Sequence, residues 1–365
     1  MSTDTHTRGP DGAAQAVVEL DRAARVRGVT GSLLAWAGGL ALLALSMALA
    51  IVIGTARIGV ADVWSVVLAH LGWGETELSP VREGIVWELR LPRTVLAAVC
   101  GAGLAVCGAV LQSLLRNPLA DPFVLGVSSG ASTGAVTVVV LGAGGGALSL
   151  SGGAFAGAAL SFAAVLVLSQ LLGGSTDRVV LSGVAVMQLF SALTSVIVLT
   201  AADAETTRGV LFWLLGSLNG ASWTDAGACL AVLAAVLLLC LGHARTLDAF
   251  AFGQDAAAAL GVRVARTRVV LLCGTALLTA AMVSAAGAIG FVGLVLPHAA
   301  RALVGAGHIR LLPVAALAGA VFLVWVDALA RTVLDGQEIP VGVVTSLIGV
   351  PAFVLILFRT RGVRR

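Results

Sequence analysis

Long, uninterrupted apolar runs restrict the possible folds of this chain more than any other feature of its sequence. A helix needs about 20 apolar residues to cross the hydrocarbon core of a bilayer, whereas strands of a membrane barrel show alternations of about ten residues. The runs here are continuous and predict an all-α integral membrane protein with ten transmembrane helices. The predicted spans lie near 33–53, 94–115, 123–141, 153–172, 179–200, 226–242, 269–288, 289–304, 312–334 and 341–358.

The composition excludes a water-soluble protein. Hydrophobic residues make up 59% of the chain and charged residues 11%, whereas a soluble domain carries about 25% charged residues. The 45 glycines suit closely packed membrane helices. The cysteines lie inside apolar runs and are predicted to be small packing residues, with no disulfide framework and no metal site. They are Cys100, Cys107, Cys229, Cys240 and Cys273.

The arginines predict the orientation in the membrane. With ten crossings and a cytoplasmic N-terminus, 16 arginines fall in inside segments and 6 in outside segments. This asymmetry obeys the positive-inside rule. Both termini are therefore predicted to be cytoplasmic. Pro297, His298 and Arg301 interrupt the eighth run, so a continuous helix and a broken helix both fit it.

Polar segments divide the remainder of the chain. Residues 1–30 are predicted to be a disordered cytoplasmic tail, and residues 31–360 a single ten-helix domain. An external segment, 54–93, contains three tryptophans and is amphipathic, as expected at a membrane interface. An internal segment, 243–268, contains an alanine-rich helix that should stop at Gly261. The internal helix fits a docking element and an ordinary connector equally well.

Two motifs bear on enzymatic chemistry. The chain has no phosphate-binding GxxxxGK[ST] loop, so we expect it not to hydrolyse ATP itself. Ser128 lies in a GxSxG pattern, and an intramembrane hydrolase would pair it with His298 and Asp327. A nucleophile elbow needs a strand-turn-helix context. Here the motif lies in a predicted span, so small residues for helix packing explain it better.

Asp327 and Arg331 are four residues apart and can pair on one helix face. Ionisable groups at membrane depth are costly and often functional. A proton relay of a secondary transporter would show several acidic groups spaced through the bundle. Asp327 stands almost alone, so we interpret the pair as a polar clamp at a helix end.

A series of ordered motifs identifies a family resemblance. The chain resembles, from about residue 33 to 360, the FecCD-type (type II) permease subunits of ABC importers for iron–siderophores, haem and vitamin B12. The motifs are RLPR (90–93), Gln112 with RNPLADPFVLGVSSGA (116–131), LSGVA (181–185), FWLLGSLNGASW (212–223), ALGVRVARTR (259–268), GAIGFVGLVLPHAAR (287–301), LLPVAALAGA (311–320) and EIPVGVVTSLIGVPAF (338–353).

The resemblance implies ten helices in the plasma membrane of a bacterium, a second permease subunit that is identical or paralogous, two ATPase subunits below and an extracytoplasmic binding protein above. It makes segment 243–268 the coupling segment, and it places a cytoplasmic gate before the fifth helix, at Ser175 and Thr176. ATP and magnesium would bind to the ATPase subunits, and no cofactor to this chain. The coupling positions are Gly253, Ala259, Leu260, Gly261 and Arg263.

Further site residues follow from the same resemblance. Arg331 and, more approximately, Arg82 correspond to arginines that hold glutamates of the binding protein. The translocation path is predicted along the fifth helix, where packing roles fit equally well. Its residues are Ser182, Gly183 and Gln188. The polar corner after RLPR is interpreted as a structural clamp near the ATPase docking face, formed by Gln112, Arg116, Asn117 and Asp121.

These features predict a transport subunit rather than an enzyme. The predicted cargo is a ferric siderophore or related iron chelate, carried by alternating access. Haem and vitamin B12 are alternative cargoes of the same machinery, and a proton-driven secondary transporter is an alternative from another class.

Overall fold

The computed structural model describes residues 35–53, 58–142, 149–201, 203–334 and 336–362. These ranges are helical and contain no strand. The chain divides into two compact units, residues 1–45 and 46–365. The described part of the first unit, 35–45, is helical and mostly exposed. The early helices are α1 (Ala35–Val52), α2 (Val60–His70), α3 (Pro80–Gly84), α4 (Leu91–Leu114), α5 (Val127–Leu141), α6 (Leu150–Leu171) and α7 (Thr176–Ala201).

Two irregular turns and eight further helices complete the described chain. A π-helical turn, Ile85–Arg90, joins α3 to α4, and a 3₁₀ turn, Pro122–Leu125, precedes α5. The remaining helices are α8 (Ala204–Leu214), α9 (Trp223–Gly242), α10 (Ala244–Phe250), α11 (Gln254–Ala259), α12 (Val264–Ala286), α13 (Val292–Val304), α14 (His308–Ala330) and α15 (Val341–Gly362).

Length and apolar composition confirm an all-α, membrane-type fold. Seven helices in the described ranges are long and apolar enough to cross a bilayer. Each of the ten predicted spans overlaps a helix, but α5, α13 and α15 contain shorter apolar stretches. The count of ten crossings and the orientation of the termini therefore stay predictions.

The interrupted eighth run forms a continuous helix. Helix α13 includes Pro297 and begins only after an irregular stretch, in which Phe291 has a φ of +67°. Gly287, with a φ of +67°, ends α12. A residue with positive φ cannot continue a right-handed helix, so the chain separates two helices here where the sequence shows nearly unbroken apolar residues.

Helix α4 is the centre of the second unit. Within the apolar stretch of the continuous Pro80–Leu114 helix, 94% of residues are buried. Glycines permit this burial, because a Cβ on Gly101 would overlap the carbonyl oxygen of Gly319 in α14. A Cβ on Gly108 would likewise overlap the backbone of Gly293 in α13. Small residues at such crossings let helix backbones pack closely.

The cysteines are all free, and four of the five are buried. Cys107 illustrates the packing role, since its thiol lies 3.4 Å from the carbonyl oxygen of Thr275 in α12. Cys273 is the exception to the expectation of burial, because its position on α12 leaves it exposed.

The glycine crossing generates a matched pair of substitutions. We expect Gly101→Ala to lower the free energy of unfolding by about 1–3 kcal/mol, the usual cost of overpacking. Gly227→Ala in α9 has nothing within 4 Å of its Cβ and should leave stability equal or slightly higher. Thermal unfolding of both purified variants measures the difference. Equal midpoints would contradict the close α4–α14 packing.

Candidate coupling and gating site

Segment 243–268 folds into two short helices that turn back into the bundle. Helix α10 follows α9 directly, and Gly253, with a φ of +113°, separates α10 from α11. Helix α11 ends as predicted at Gly261, whose φ is +83°. Its N–H donates to Ala258 O, and Val262 N–H donates to Ala257 O. This pair of bonds is a Schellman motif, which only a left-handed residue such as glycine closes without strain.

The coupling segment presents apolar side chains outward. Phe252 is 80% exposed and Leu260 is 73% exposed, whereas Ala257 between them is fully buried. Ala259, Gly261 and Arg263 are exposed as well, and Gly253 is buried at the turn. Four of the five predicted coupling positions thus lie on the surface, although their role stays a prediction.

The predicted gate is bonded to this coupling segment. Gln254, the first residue of α11, donates from Nε2 to Thr176 Oγ1 over 3.2 Å. Arg268 in α12 donates from Nη1 to the carbonyl oxygen of Gly174 over 3.0 Å. Ser175 lies exposed between the two bonded residues. The gate loop, 173–176, is therefore held at two points by the coupling segment and the helix after it.

A polar chain holds α10 to the rest of the bundle. Ser113 Oγ in α4 lies 2.6 Å from His308 Nε2, and His308 Nδ1 lies 2.6 Å from Asp248 Oδ1 in α10. His308 N–H at the start of α14 donates to the same carboxylate oxygen over 3.0 Å. His308 is buried, with 3% exposure. Movement of α10 would therefore be transmitted to both α4 and α14.

The corner after α4 carries the predicted polar clamp. Gln112 donates from Nε2 to Gly293 O over 3.1 Å and accepts from Arg301 Nη1 over 2.6 Å. Asn117 Oδ1 accepts from Leu119 N–H over 2.9 Å. Gln112 thus binds the corner to α13, and Asn117 closes the turn.

Arg116 occupies an unusual position in the same corner. Its φ is +48°, and it closes a Schellman motif in which its N–H donates to Ser113 O and Asn117 N–H donates to Gln112 O. Glycine normally fills this place, and another residue there costs about 1–2 kcal/mol. Its guanidinium lies beside Gly253, 3.6 Å from where a Cβ would stand. The strained residue therefore adjoins the coupling segment.

Asp121 closes the corner before the 3₁₀ turn. Its Oδ1 accepts from Phe123 N–H over 2.9 Å. Although the side chain keeps some exposed surface, the surrounding protein desolvates the carboxylate and raises the pKa of Asp121 to about 6, against the opposing hydrogen bond. With Ser346, it supplies the polar side chains of an otherwise apolar groove of about 890 Å³ between α13 and α15.

The residues predicted to line the path do not share one surface. Ser182 is 1% exposed, and Gly183 is also buried, its carbonyl oxygen 3.4 Å from where a Cβ on Gly126 would stand. Gln188 lies on the exposed face of α7 together with Leu181 and Leu189. In the single subunit, only Gln188 is therefore accessible to a cargo.

Near the C-terminal end of α14, Asp327 forms the predicted ion pair with Arg331, with 3.1 Å between Arg331 Nε and Asp327 Oδ2. Arg331 also donates to the carbonyl oxygens of Asp327, Ile53 and Ala50, so its guanidinium has four acceptor atoms. Arg93 binds the same carboxylate of Asp327 over 2.9 Å, an interaction that the sequence analysis missed. Arg93 also makes two hydrogen bonds of 3.1 Å to Glu338.

The two arginines predicted to bind the binding protein lie in different surroundings. Arg82 is exposed on α3, whereas Arg331 serves chiefly the clamp; binding-protein docking by either stays a prediction.

Ser128 Oγ is buried and has no hydrogen-bond partner among the described residues. His298 Nδ1 lies 3.0 Å from the Leu294 carbonyl oxygen in its own helix. No serine–histidine pair therefore forms at the GxSxG pattern.

We expect Asp121→Asn to change the pH dependence of stability. The folded-state pKa of Asp121 is raised to about 6. Its contribution to the free energy of unfolding is therefore greatest below the unfolded-state pKa of about 4 and is lost as pH rises through 6. Asparagine keeps the acceptor for Phe123 and removes the charge. The variant's unfolding midpoint should exceed the wild type's most at about pH 7.5 and least at about pH 5. A constant difference, or the same trend in Glu77→Gln on an exposed loop, would contradict the assignment.

Comparison with known proteins connects this architecture to transport. The FecCD transport family matches residues 42–359. A cobalamin import system permease of Halobacterium salinarum is 45% identical over 303 residues, covering 81% of this chain and 78% of that protein. A vitamin B12 import system permease of Escherichia coli is 37% identical over 287 residues, covering 78% of this chain and 86% of that protein.

A solved structure, described as an inward-facing conformation of a metal-chelate type ABC transporter, has a TM-score of 0.77 and 31% identity, covering 88% of this chain and 98% of that chain. The family match extends over most of the chain, and the named relatives are transport subunits. The family match therefore favours an ABC importer subunit over a secondary transporter or an intramembrane hydrolase. The chain belongs to the FecCD transport family and is a permease subunit of an ABC importer.

Proposed function

We propose that this permease carries a large metal chelate across the cytoplasmic membrane by alternating access. It would cross the membrane ten times with both termini inside. A second permease, identical or paralogous, would complete the pathway, two ATPase subunits would bind ATP and magnesium, and an extracytoplasmic binding protein would deliver the cargo. The observation that carries the proposal is the direct bonding of the coupling segment to the gate loop through Gln254 and Arg268.

The bonding suggests how ATPase closure reaches the gate. The exposed Phe252 and Leu260 provide apolar contacts for an ATPase subunit, and buried Ala257 lies against the permease. A push on α11 would be transmitted through Gln254 to Thr176, at the start of α7. Rigid-body displacement of short elements is a common mechanism of switching. Gate and coupling segment would therefore move together.

A corrinoid is the cargo that the relatives favour. Two relatives named above import cobalamin or vitamin B12, at 45% and 37% identity. A ferric siderophore, the cargo predicted from the sequence, is supported by the structural likeness to a metal-chelate type transporter. The exposed face of α7 around Gln188, and the apolar groove beside Asp121, would provide a weakly binding path for either chelate.

Uptake by the reconstituted importer distinguishes the cargoes. Proteoliposomes containing the permease, its ATPase and its binding protein should accumulate labelled cobalamin only when ATP is supplied. Accumulation of a labelled ferric siderophore instead would assign the second cargo. ATP-independent uptake, or uptake of neither chelate, would contradict the proposed function.

The coupling mechanism is tested by Gln254→Leu. Removal of a hydrogen bond worth about 0.5–1.5 kcal/mol should lower cargo transported per ATP hydrolysed about threefold to tenfold. ATP hydrolysis and co-purification of the ATPase should persist, because the exposed docking side chains are unchanged. Asp255→Asn, at the neighbouring exposed position, serves as the matched control. An unchanged transport-to-hydrolysis ratio in Gln254→Leu would refute the coupling role.

A further inference from the structure

Helix α2 has two apolar faces, and the described residues of the protein cover only one of them. Val63 is 3% exposed and Val66 is fully buried in a cluster that includes Ile51 and Leu91. A second set of apolar residues recurs at helical spacing on another side and continues just past the helix. We define this set as the α2 stripe: Val60 (39% exposed), Trp64 (48%), Leu68 (38%), Leu71 (59%) and Trp73 (78%).

The buried face fixes the position of α2 along the bundle. Ile51 belongs to the last turn of α1, and Leu91 is the first residue of α4. Under the topology proposed above, both mark the place where spans meet the extracytoplasmic boundary. Helix α2 therefore lies at the level at which the hydrocarbon core gives way to head groups.

Aromatic contacts hold the C-terminal end of α2 at this level. The His70 ring stacks on Trp87 with centroids 3.8 Å apart. Trp87 in turn lies 5.0 Å from Trp223, whose Nε1 donates to the Trp87 carbonyl oxygen over 2.9 Å. These ring contacts and the hydrogen bond connect α2 through the π-helical turn to the start of α9. The stripe is thus carried on a fixed helix.

The α2 stripe contains no charged residue. The one carboxylate of α2, on Asp62, accepts from the N–H of Gly59 over 2.8 Å and so serves the helix's own start. Docking to a soluble protein normally uses rim charges to set orientation. Tryptophan is enriched at the membrane interface, and tryptophan and leucine form the apolar face of helices that lie in it.

We propose that the α2 stripe lies in the head-group and acyl-chain boundary of the outer leaflet. Its partner is the lipid surface, continuous with the lipid that surrounds the spans. Bound there, α2 would set the height of the π-helical turn and of the arginines that follow it. This inference rests on the topology given under the proposed function, and it assigns a partner that neither transport nor cargo choice requires.

Spin labels on the intact importer in lipid nanodiscs test the proposal. Single cysteines at Leu68 and Leu71 would report on the stripe, and Glu77→Cys, on the exposed loop after α2, is the matched control. Cys273 is exposed and is first changed to serine. The ratio of collision rates with oxygen and with a water-soluble nickel chelate should be several-fold higher at positions 68 and 71 than at position 77.

Two results would overturn the proposal. Equal, water-like ratios at positions 68, 71 and 77 would place the stripe in solvent. Labels shielded from both quenchers, alone or after the binding protein is added, would place the stripe under another protein. Wild-type uptake is measured on the same preparation, so a failure of the proposed transport function is distinguished from a failure of the lipid assignment.

Discussion

Helix α4 can be buried on nearly all sides only because glycines stand where it crosses its neighbours. Gly101 meets Gly319 of α14, and Gly108 meets Gly293 of α13, at distances that exclude a Cβ. In a bilayer, the lipid tails are as apolar as the side chains, so close packing rather than water exclusion must hold helices together. The positions of α13 and α14, and of the polar groups at their ends, follow from these contacts.

The end of the bundle that carries the coupling segment is held in place by contacts to α4. Gln112 and Ser113, in the last turn of α4, bind α13 and His308 respectively. His308 holds Asp248 of α10, so the coupling segment begins on a fixed support. Gln254 then reaches Thr176, 78 residues earlier in the chain. Polar contacts thus hold the coupling segment at two places, through Asp248 to the most buried helix and through Gln254 to the gate loop.

Many of the helices of this fold can be predicted from the sequence, because the length of hydrophobic runs and the placement of arginines depend directly on membrane helices. The stop at Gly261 and the Asp327–Arg331 pair follow from local spacing and are present. The bonds of Gln112 to α13 join residues remote in sequence, and no local pattern predicts them. The orientation of Ser182 could not be predicted, since α7 is apolar on all sides and shows no distinct face. Gln254 and Arg268 were missed because their partners are remote in sequence, although Arg268 lies within the motif ALGVRVARTR.

We propose that the coupling segment and the gate loop remain joined throughout transport. The most direct measurement is ATP-driven uptake by an importer in which Thr176→Cys and Gln254→Cys are cross-linked, with the exposed Cys273 changed to serine. Because the two side chains are already in hydrogen-bond contact, we expect the cross-linked importer to keep most of its uptake. Loss of uptake on cross-linking, restored by reduction, would show that the two elements separate during the cycle and would contradict this proposal.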